Sequence, residues 1–254
     1  MKISATVPNS AYDSAVVIPC FNEEKRINTR QYLDSLGDFS SKVFLVDDGS
    51  RDKTFQVLKS LEKSAPDRFI AIKAPQNLGK AEAVRLGINA ALDKNFRQVG
   101  FLDADLAVKF SEIPNFLNVF KNVPEATSVI GVRLPLAGHK IDRTAGKYLA
   151  QNVITKMANL LFSPKVSDTQ CGAKMFRAEV LKPTAKEPFI SRWLFDMELL
   201  KRISDLPQSK GKNWLFELPV TSWSEIGGSK RKFSDYGKSL KDYFKILFKY
   251  GIKK

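Results

Sequence analysis

The sequence predicts an α/β fold in which helices cover both faces of a mostly parallel sheet. Strand-like apolar runs alternate with helix-like segments five times before residue 134, which is the pattern of such sheets. Several of these runs end abruptly in polar residues, as buried strands do where they reach a loop. The chain has 254 residues, 43% of them hydrophobic, and this is enough for one large core.

The individual elements are predicted from apolar periodicity and from capping residues. Strands are expected at 15–19, 42–46, 69–72, 99–106 and 128–133, and the helices between them at about 24–36, 52–62, 81–92 and 113–120. In the second half, a long helix is expected at about 143–162, strands at 174–177 and 216–220, and a helix that begins within 192–198.

Polar residues stand at the ends of four predicted strands. Asp103 and Asp105 close the fourth strand, Arg133 closes the fifth, and segments 19–23 and 47–50 follow the first two. Ligands of parallel α/β sheets bind beyond the carboxyl ends of the strands, so these residues are expected to form one site. An acidic pair alone can be a solvated turn. Beside a buried strand it supplies hard oxygen ligands for Mg²⁺ or Mn²⁺ bound to phosphates.

The chain is strongly basic, with a formal charge of +14 and a pI near 9.7. We therefore expect an anionic partner: nucleic acid, a phosphorylated ligand or the inner leaflet of a membrane. The two distant cysteines, Cys20 and Cys171, disfavour a disulfide framework and a cysteine-based zinc site and favour a reducing compartment. The sequence contains no signal-peptide pattern and no apolar stretch long enough to span a bilayer, so a soluble or peripheral protein is expected.

Specific residues disfavour other functions. A Walker phosphate loop around Lys80 needs glycine at 74 and serine or threonine at 81, where the chain has Ala74 and Ala81. His139 is the only histidine, which disfavours serine-hydrolase chemistry and histidine-bound metals. The aromatic residues are not interleaved with basic ones as in a nucleic-acid groove, so a basic nucleic-acid-binding module is a remote alternative.

The segment 234–254 is predicted to be a basic amphipathic helix. It can lie flat on an anionic membrane, or it can pack on the domain as a surface helix, and the pattern leaves both possibilities open. The apolar side consists of Tyr236, Leu240, Tyr243, Phe244 and Leu247, and the basic side of Lys238, Lys241, Lys245 and Lys249.

Seven short motifs occur in order along the chain: VVIPCFNEE (16–24), VDDGSRDKT (46–54), NLGK (77–80), DAD (103–105), GVR (131–133), DTQCG (168–172) and GSK (228–230). Together they resemble the family 2 glycosyltransferases of the GT-A (Rossmann-like) fold, and most closely the dolichyl- or polyprenyl-phosphate glucosyl- and mannosyltransferases. The resemblance covers about residues 14–232. It implies a GT-A catalytic domain at 1–233, followed by the C-terminal helix at 234–254.

The resemblance also implies roles for the matching residues. The nucleotide would be bound by Pro19, Phe21, Glu23, Asp48 and Lys80, and Asp103, Ala104 and Asp105 would surround its diphosphate and the metal ion. The acceptor phosphate or the donor diphosphate would be received by Arg133, Arg143 and Lys230. The acceptor-side walls would be segments 168–172 and 193–198. The catalytic candidates are Asp105, Arg133, Arg143 and Asp196, and the metal ligands are Asp103 and Asp105.

Two positions depart from the family pattern. Ala107 stands where many of the mannosyltransferases have a glutamine that contacts the metal, so fewer protein ligands are expected, although DADLA is similar to the glucosyltransferase branch. Ser224 stands where some relatives have an arginine. Phosphate binding would then depend on Lys230 and Arg143, with Lys147 or Arg231 as further candidates.

The resemblance implies inverting transfer of a hexosyl unit from a UDP- or GDP-linked sugar, with Mg²⁺ or Mn²⁺ as cofactor. The leading expectation for the acceptor is a polyprenyl (undecaprenyl or dolichyl) phosphate, which is already ionised and needs no general base. The alternative acceptor is a sugar, polymer or protein hydroxyl, and Asp196 would then be the base. The protein is expected to be cytoplasmic and peripheral on the inner membrane face, with an anionic membrane surface as a partner and no nucleic acid.

Overall fold

The computed structural model describes residues 13–37, 40–142, 145–211, 213–224 and 234–251. The strands in these segments are β1 (Ser14–Cys20), β2 (Ser41–Asp47), β3 (Phe69–Lys73), β4 (Gln98–Leu102), β5 (Ser128–Val132), β6 (Lys140–Asp142), β7 (Ala173–Arg177), β8 (Leu215–Pro219) and β9 (Ser222–Ser224). The α-helices are α1 (Thr29–Asp34), α2 (Thr54–Ser64), α3 (Lys80–Asp93), α4 (Ile113–Asn122), α5 (Ala145–Ala158), α6 (Ala178–Thr184), α7 (Phe195–Ser204) and α8 (Ser234–Tyr250). Short 3₁₀ turns lie at Phe110–Glu112 and Pro207–Ser209.

Seven of these strands form one sheet in the order β3-β2-β1-β4-β7-β5-β8. β7 runs antiparallel to its two neighbours, β4 and β5, and the remaining pairs are parallel. A separate parallel pair joins β6 to β9. The prediction of a mostly parallel sheet is therefore confirmed, and the carboxyl ends of β1, β2, β4 and β5 lie along one edge.

Side chains that alternate along the strands supply two cores, one on each face of the sheet. Val17 and Val46 belong to the core that includes α3, α7 and α8, whereas Val16 and Leu45 belong to the core that includes α1, α2 and α4. Both faces are covered, which explains why the strands are almost continuously apolar. A sheet buried on both faces leaves its strand ends as the accessible place for polar chemistry.

Two predicted boundaries are wrong for local reasons. The first helix begins at Thr29 instead of near residue 24, because the chain forms a turn onto the Glu23 carbonyl and Asn28 then caps the helix. β4 ends at Leu102, because a turn follows in which the Leu106 amide donates to the Asp103 carbonyl. α7 begins at Phe195, within the predicted range of 192–198. The sequence analysis also missed α6, β6 and β9.

The C-terminal segment forms the predicted helix, but its apolar side is divided. Tyr243 and Ile246 are buried against the domain, and Tyr243 donates a hydrogen bond to the Met157 carbonyl of α5 at 3.2 Å. Leu240, Phe244 and Phe248 remain exposed. The surface-helix alternative is therefore correct for one edge of α8 only. Within the described segments, no helix has both the length and the hydropathy required to cross a bilayer.

Candidate active site

The turn after β4 places two carboxylates at the edge of the sheet. The Ala107 amide donates to Asp105 Oδ1 at 3.1 Å, and the Tyr32 hydroxyl donates to the Ala104 carbonyl at 2.6 Å. The first contact lies within the turn, and the second fixes the turn from the side of α1. Burial and, next, the charge of Asp103 raise the pKa of Asp105. The protein thus holds two like charges close together in a partly dry place, which favours a bound cation.

Gly172, directly before β7, makes room for this acidic pair. A Cβ atom added at residue 172 would lie 2.3 Å from Asp103 Oδ2, so the Asp103 carboxylate can lie against this backbone because residue 172 has no side chain. Segment 168–172 was predicted to lie on the acceptor side, and its contact with Asp103 was not predicted. The antiparallel pairing of β7 with β4, which brings Leu102 opposite Ala173, creates this contact.

Each of the two carboxylates has a basic neighbour. Lys80 Nζ lies 2.5 Å from Asp103 Oδ1, and Arg26 Nη2 lies 3.9 Å from Asp105 Oδ2. Burial alone would lower the pKa of Lys80, but the charges of Asp103 and Asp196 outweigh it and raise that pKa above its ordinary value. Lys80 was predicted to belong to this site, and the structure brings it there. Arg26 was not predicted.

Asp48 organises the loop that carries Lys80. Its carboxylate accepts hydrogen bonds from the Leu78 amide at 2.8 Å, the Gly79 amide at 2.9 Å and Asn77 Nδ2 at 2.9 Å. Burial raises the pKa of Asp48, and the two backbone hydrogen bonds offset this only in part. Sequence reasoning assigned Asp48 to the nucleoside. In the structure its oxygens hold the 77–79 loop and so position the first residue of α3.

The predicted nucleoside side of the site lies where β1 and β2 end. The backbones are tied together there, since the Asp48 amide donates to the Cys20 carbonyl at 2.8 Å and the Glu23 amide donates to Thr54 Oγ1 at 2.8 Å. Glu23 is buried and pairs with Arg26 at 3.2 Å. Pro19 and Phe21 are half-buried at the same edge. Glu23 and Asp105 therefore lie next to the two terminal nitrogens of the Arg26 guanidinium, Nη1 and Nη2.

On the other side of the site, Arg133 forms a bidentate ion pair. Arg133 donates to the buried Asp168 at 2.7 and 3.0 Å and to Gln151 of α5 at 3.1 Å, and it stacks on the Trp223 ring at 5.0 Å. Burial would raise the pKa of Asp168, but the hydrogen-bonded charge of Arg133 outweighs it and lowers that pKa. Arg133 therefore reaches the site already paired with a carboxylate, a partnership that sequence reasoning missed.

Asp196 also carries an ion pair that was not predicted. Lys174 of β7 is fully buried, and its ammonium donates to Asp196 Oδ2 at 2.7 Å and to the Cys171 carbonyl at 2.7 Å. The other oxygen, Asp196 Oδ1, is buried without a hydrogen-bond partner among the described residues. A lysine in the middle of an apolar strand is the signal that could have revealed this pair, because such a cation requires a buried partner.

Two predicted cations, Arg143 and Lys230, lie outside the described residues, as do Arg231 and the 228–230 motif. Their flanks are described. β6 ends at Asp142 and β9 ends at Ser224, and these two residues are partners in the parallel β6–β9 pair. The chain therefore enters both segments from adjacent positions, next to the Trp223 ring that packs on Arg133.

The acidic turn fits a divalent cation with an incomplete protein ligand set. Asp103 Oδ1 is a buried acceptor whose contact with Lys80 is an ion pair without the alignment of a hydrogen bond. Carboxylate oxygens are the ligands that Mg²⁺ and Mn²⁺ prefer. Among the described residues, no group of three or more His, Cys, Asp or Glu side chains is placed to hold a metal ion. A cation at Asp103 and Asp105 would take its remaining ligands from phosphate and water.

Comparison with known proteins places the chain in a family. The model of the family described as "Glycosyl transferase family 2" matches residues 15–184. The chain belongs to this family. It is 34% identical over 252 residues to a dolichyl-phosphate beta-glucosyltransferase of Trichomonas vaginalis, covering 94% of this chain and 74% of the relative. It is 30% identical over 235 residues to the human dolichyl-phosphate beta-glucosyltransferase, covering 85% of this chain and 68% of the relative.

Solved structures of other glycosyltransferases share the fold. Glucosyl-3-phosphoglycerate synthase from Mycobacterium tuberculosis, in complex with Mn²⁺, UDP and glucosyl-3-phosphoglycerate, aligns with a TM-score of 0.65 at 17% identity, over 93% of this chain and 79% of that one. A mannosyltransferase from Pyrobaculum calidifontis, in complex with GDP-Man and Mn²⁺, aligns with a TM-score of 0.63 at 18% identity, over 95% of this chain and 66% of that one. The GT-A fold and the glycosyltransferase class predicted from the sequence are confirmed.

The close approach of Gly172 to Asp103 can be tested by adding one methyl group. In Gly172→Ala, the new Cβ pushes the Asp103 carboxylate out of place, and we expect Mn²⁺ affinity in the presence of UDP or GDP to fall by about tenfold or more. Isothermal titration calorimetry measures this affinity. Gly237→Ala in α8 is the matched control, because a Cβ there meets nothing within 4 Å. Equal Mn²⁺ affinity of the Gly172→Ala protein and the control would show that Asp103 does not bind the metal.

Proposed function

We propose that this glycosyltransferase transfers a hexosyl unit, with inversion, from a UDP- or GDP-linked sugar to a polyprenyl phosphate such as undecaprenyl or dolichyl phosphate. The observation that carries the acceptor is the placement of α5. Its buried side contributes Gln151 to Arg133, while its outer side exposes Leu149 and Val153, and Leu160 is exposed just after the helix ends. One helix thus connects the site to a surface suited to lipid. The similarity to dolichyl-phosphate beta-glucosyltransferases supports the same acceptor class.

The donor side of the proposal uses the acidic turn. When bound, Mg²⁺ or Mn²⁺ at Asp103 and Asp105 would neutralise the charge that develops on the departing diphosphate. Lys80, whose ammonium lies 2.5 Å from Asp103 Oδ1, would add a second positive charge. The nucleoside would be contacted by Glu23, Pro19 and Phe21. Asp48 would contribute indirectly, because its hydrogen bonds to the 77–79 loop position Lys80.

The acceptor side requires cations and no base. A phosphate monoester is ionised at neutral pH, so its oxygen can attack the sugar without giving up a proton. Arg133, Arg143 and Lys230 would hold this phosphate. Because Asp168 compensates most of the charge of Arg133, Arg133 would act chiefly as an oriented hydrogen-bond donor, and Arg143 and Lys230 would supply net charge.

A hydroxyl acceptor is the second candidate, and one observation favours it. Asp196 Oδ1 is buried without a hydrogen-bond partner in the described part of the chain, so it could accept a proton from a hydroxyl group. The Lys174 ammonium on Oδ2 opposes this role, because Asp196 is already the ion-pair partner of a fully buried cation, whose charge would lose its compensation if the carboxylate took up a proton. We therefore rank the lipid phosphate first.

The membrane partner would meet a surface formed by two helices in contact. α8 exposes Leu240, Phe244 and Phe248 along one stripe, with Phe248 85% exposed, and α5 exposes Leu149 and Val153. Exposed lysines flank the α8 stripe: Lys238, Lys241, Lys245 and Lys249. Apolar side chains beside lysines fit an anionic bilayer surface. We propose that the enzyme binds peripherally to the cytoplasmic leaflet, with α5 and α8 against the lipid and residues 1–233 as its catalytic domain.

The acceptor assignment is tested by supplying radiolabelled UDP- and GDP-sugars with polyprenyl phosphate and Mn²⁺. We expect label from one donor to enter the lipid fraction. We also expect the paired variant Lys174→Met with Asp196→Asn, which removes both buried charges together, to lose less than about tenfold in kcat, since a general base contributes about 100-fold or more.

Lys174→Met alone and Asp196→Asn alone serve as controls, because each leaves one buried charge unpaired and should destabilise the protein by about 3–5 kcal/mol. A kcat loss of 100-fold or more in the stable paired variant would instead support Asp196 as base. Failure of every donor to label lipid would contradict the lipid acceptor.

The membrane surface is tested with Phe244→Ser combined with Phe248→Ser. Removing two exposed aromatic rings should lower partitioning onto vesicles rich in anionic lipid by about tenfold or more, because each ring buries apolar area in the interface. Vesicle co-sedimentation measures the partitioning. Phe216→Ser, at an exposed position on the edge strand β8, is the control and should bind like the unchanged protein. Equal binding of all three proteins would refute the assignment of this surface.

A further inference from the structure

Lys80 occupies the position where a metal ion is expected to bind. Its ammonium lies 2.5 Å from Asp103 Oδ1, the oxygen that has no aligned hydrogen bond. The charge of the second carboxylate, Asp105, is compensated less strongly. Arg26 lies 3.9 Å from it and also pairs with Glu23 at 3.2 Å. In the protein without ligands, the negative charge of the acidic turn is therefore compensated mainly by one lysine.

The surroundings of Lys80 keep the ammonium at this place. Lys80 is the first residue of α3, and the loop before it is held by the Asp48 carboxylate. The ammonium also lies 5.9 Å from the centre of the Phe195 ring. The Lys80 side chain is 28% exposed, so its far end retains a path toward the open edge of the sheet. The backbone is fixed, whereas the four-carbon side chain can turn to another anion.

We propose that Lys80 is an internal counter-cation that occupies Asp103 in the nucleotide-free enzyme and moves to the nucleotide diphosphate when a divalent cation takes Asp103. This inference rests on the proposed function, because it requires a metal and a diphosphate at the acidic turn. It adds an order to their binding. The metal binds weakly until a diphosphate offers Lys80 a new partner.

Simple electrostatics supports the exchange. An ammonium that lies 2.5 Å from a carboxylate oxygen repels a divalent cation that approaches the same oxygen, and the repulsion is strong at short range. A diphosphate removes this conflict by binding both cations. If the nucleotide strengthens metal binding by some factor, the metal must strengthen nucleotide binding by the same factor. Lys80 contributes to this factor by weakening the metal site only in the absence of nucleotide.

The test measures Mn²⁺ binding from the electron paramagnetic resonance signal of free Mn²⁺, with and without UDP or GDP. The variants are Lys80→Met, Lys80→Arg and the control Lys59→Met, which removes an exposed lysine of the Lys59–Glu62 pair on α2. In Lys80→Met, we expect Mn²⁺ affinity without nucleotide to rise about tenfold and nucleotide affinity to fall about tenfold. The factor by which the nucleotide strengthens Mn²⁺ binding should fall about tenfold. Lys80→Arg keeps the charge and should retain most of this factor.

Two results would overturn the inference, and they differ in what else they affect. If the unchanged protein binds Mn²⁺ and nucleotide together, and Lys80→Met matches Lys59→Met in every affinity, Lys80 is not a counter-cation and the metal site stands. If the unchanged protein binds no Mn²⁺ with either nucleotide, both this inference and the metal-dependent mechanism are wrong.

Discussion

The structure depends on the compensation of negative charge at the carboxyl edge of the sheet. The fold directs β1, β2 and β4 to this edge, and each strand brings carboxylates with it. Asp48 is neutralised by backbone amides and Asn77, Asp103 by Lys80, Asp168 by Arg133 and Asp196 by Lys174. Partly buried charges of one sign are costly unless each has a partner. The protein therefore places each of these four carboxylates beside a cation or a group of donors.

The ion-pair partners differ in how deeply they are buried. This difference determines which carboxylates can exchange their partner for a ligand. Lys174 and Asp168 are buried, so the ion pairs that they form are part of the core. The Lys174–Asp196 pair joins β7 to α7, and the Arg133–Asp168 pair joins the end of β5 to the loop before β7. Lys80 is partly exposed and lies on a helix terminus, so its pair can open. The edge thus contains permanent pairs that give the site its shape and one exchangeable pair at the acidic turn.

Much of this arrangement could be predicted from the sequence. Continuous apolar runs that end in acids predict buried parallel strands and a site at their tips, and the structure places Asp103, Asp105, Glu23 and Lys80 there. The partners of these residues could not be predicted, because they come from distant parts of the chain. Gly172 reaches Asp103 only through the antiparallel β4–β7 pairing, and Lys174 meets Asp196 only after α7 packs on the sheet. The start of α1 was predicted too early, because the chain first turns onto the Glu23 carbonyl and Asn28 then caps the helix. The amphipathic pattern of α8 was correct, but it could not show that half of the apolar side is used for packing.

The most direct test of the account is an anomalous difference map from crystals grown with Mn²⁺ and a nucleoside diphosphate. The account predicts one strong manganese peak in contact with Asp103, Asp105 and the diphosphate, with the Lys80 ammonium moved from Asp103 to a phosphate oxygen. A manganese peak elsewhere in the molecule, or a bound diphosphate with Lys80 still on Asp103 and no metal beside it, would contradict it.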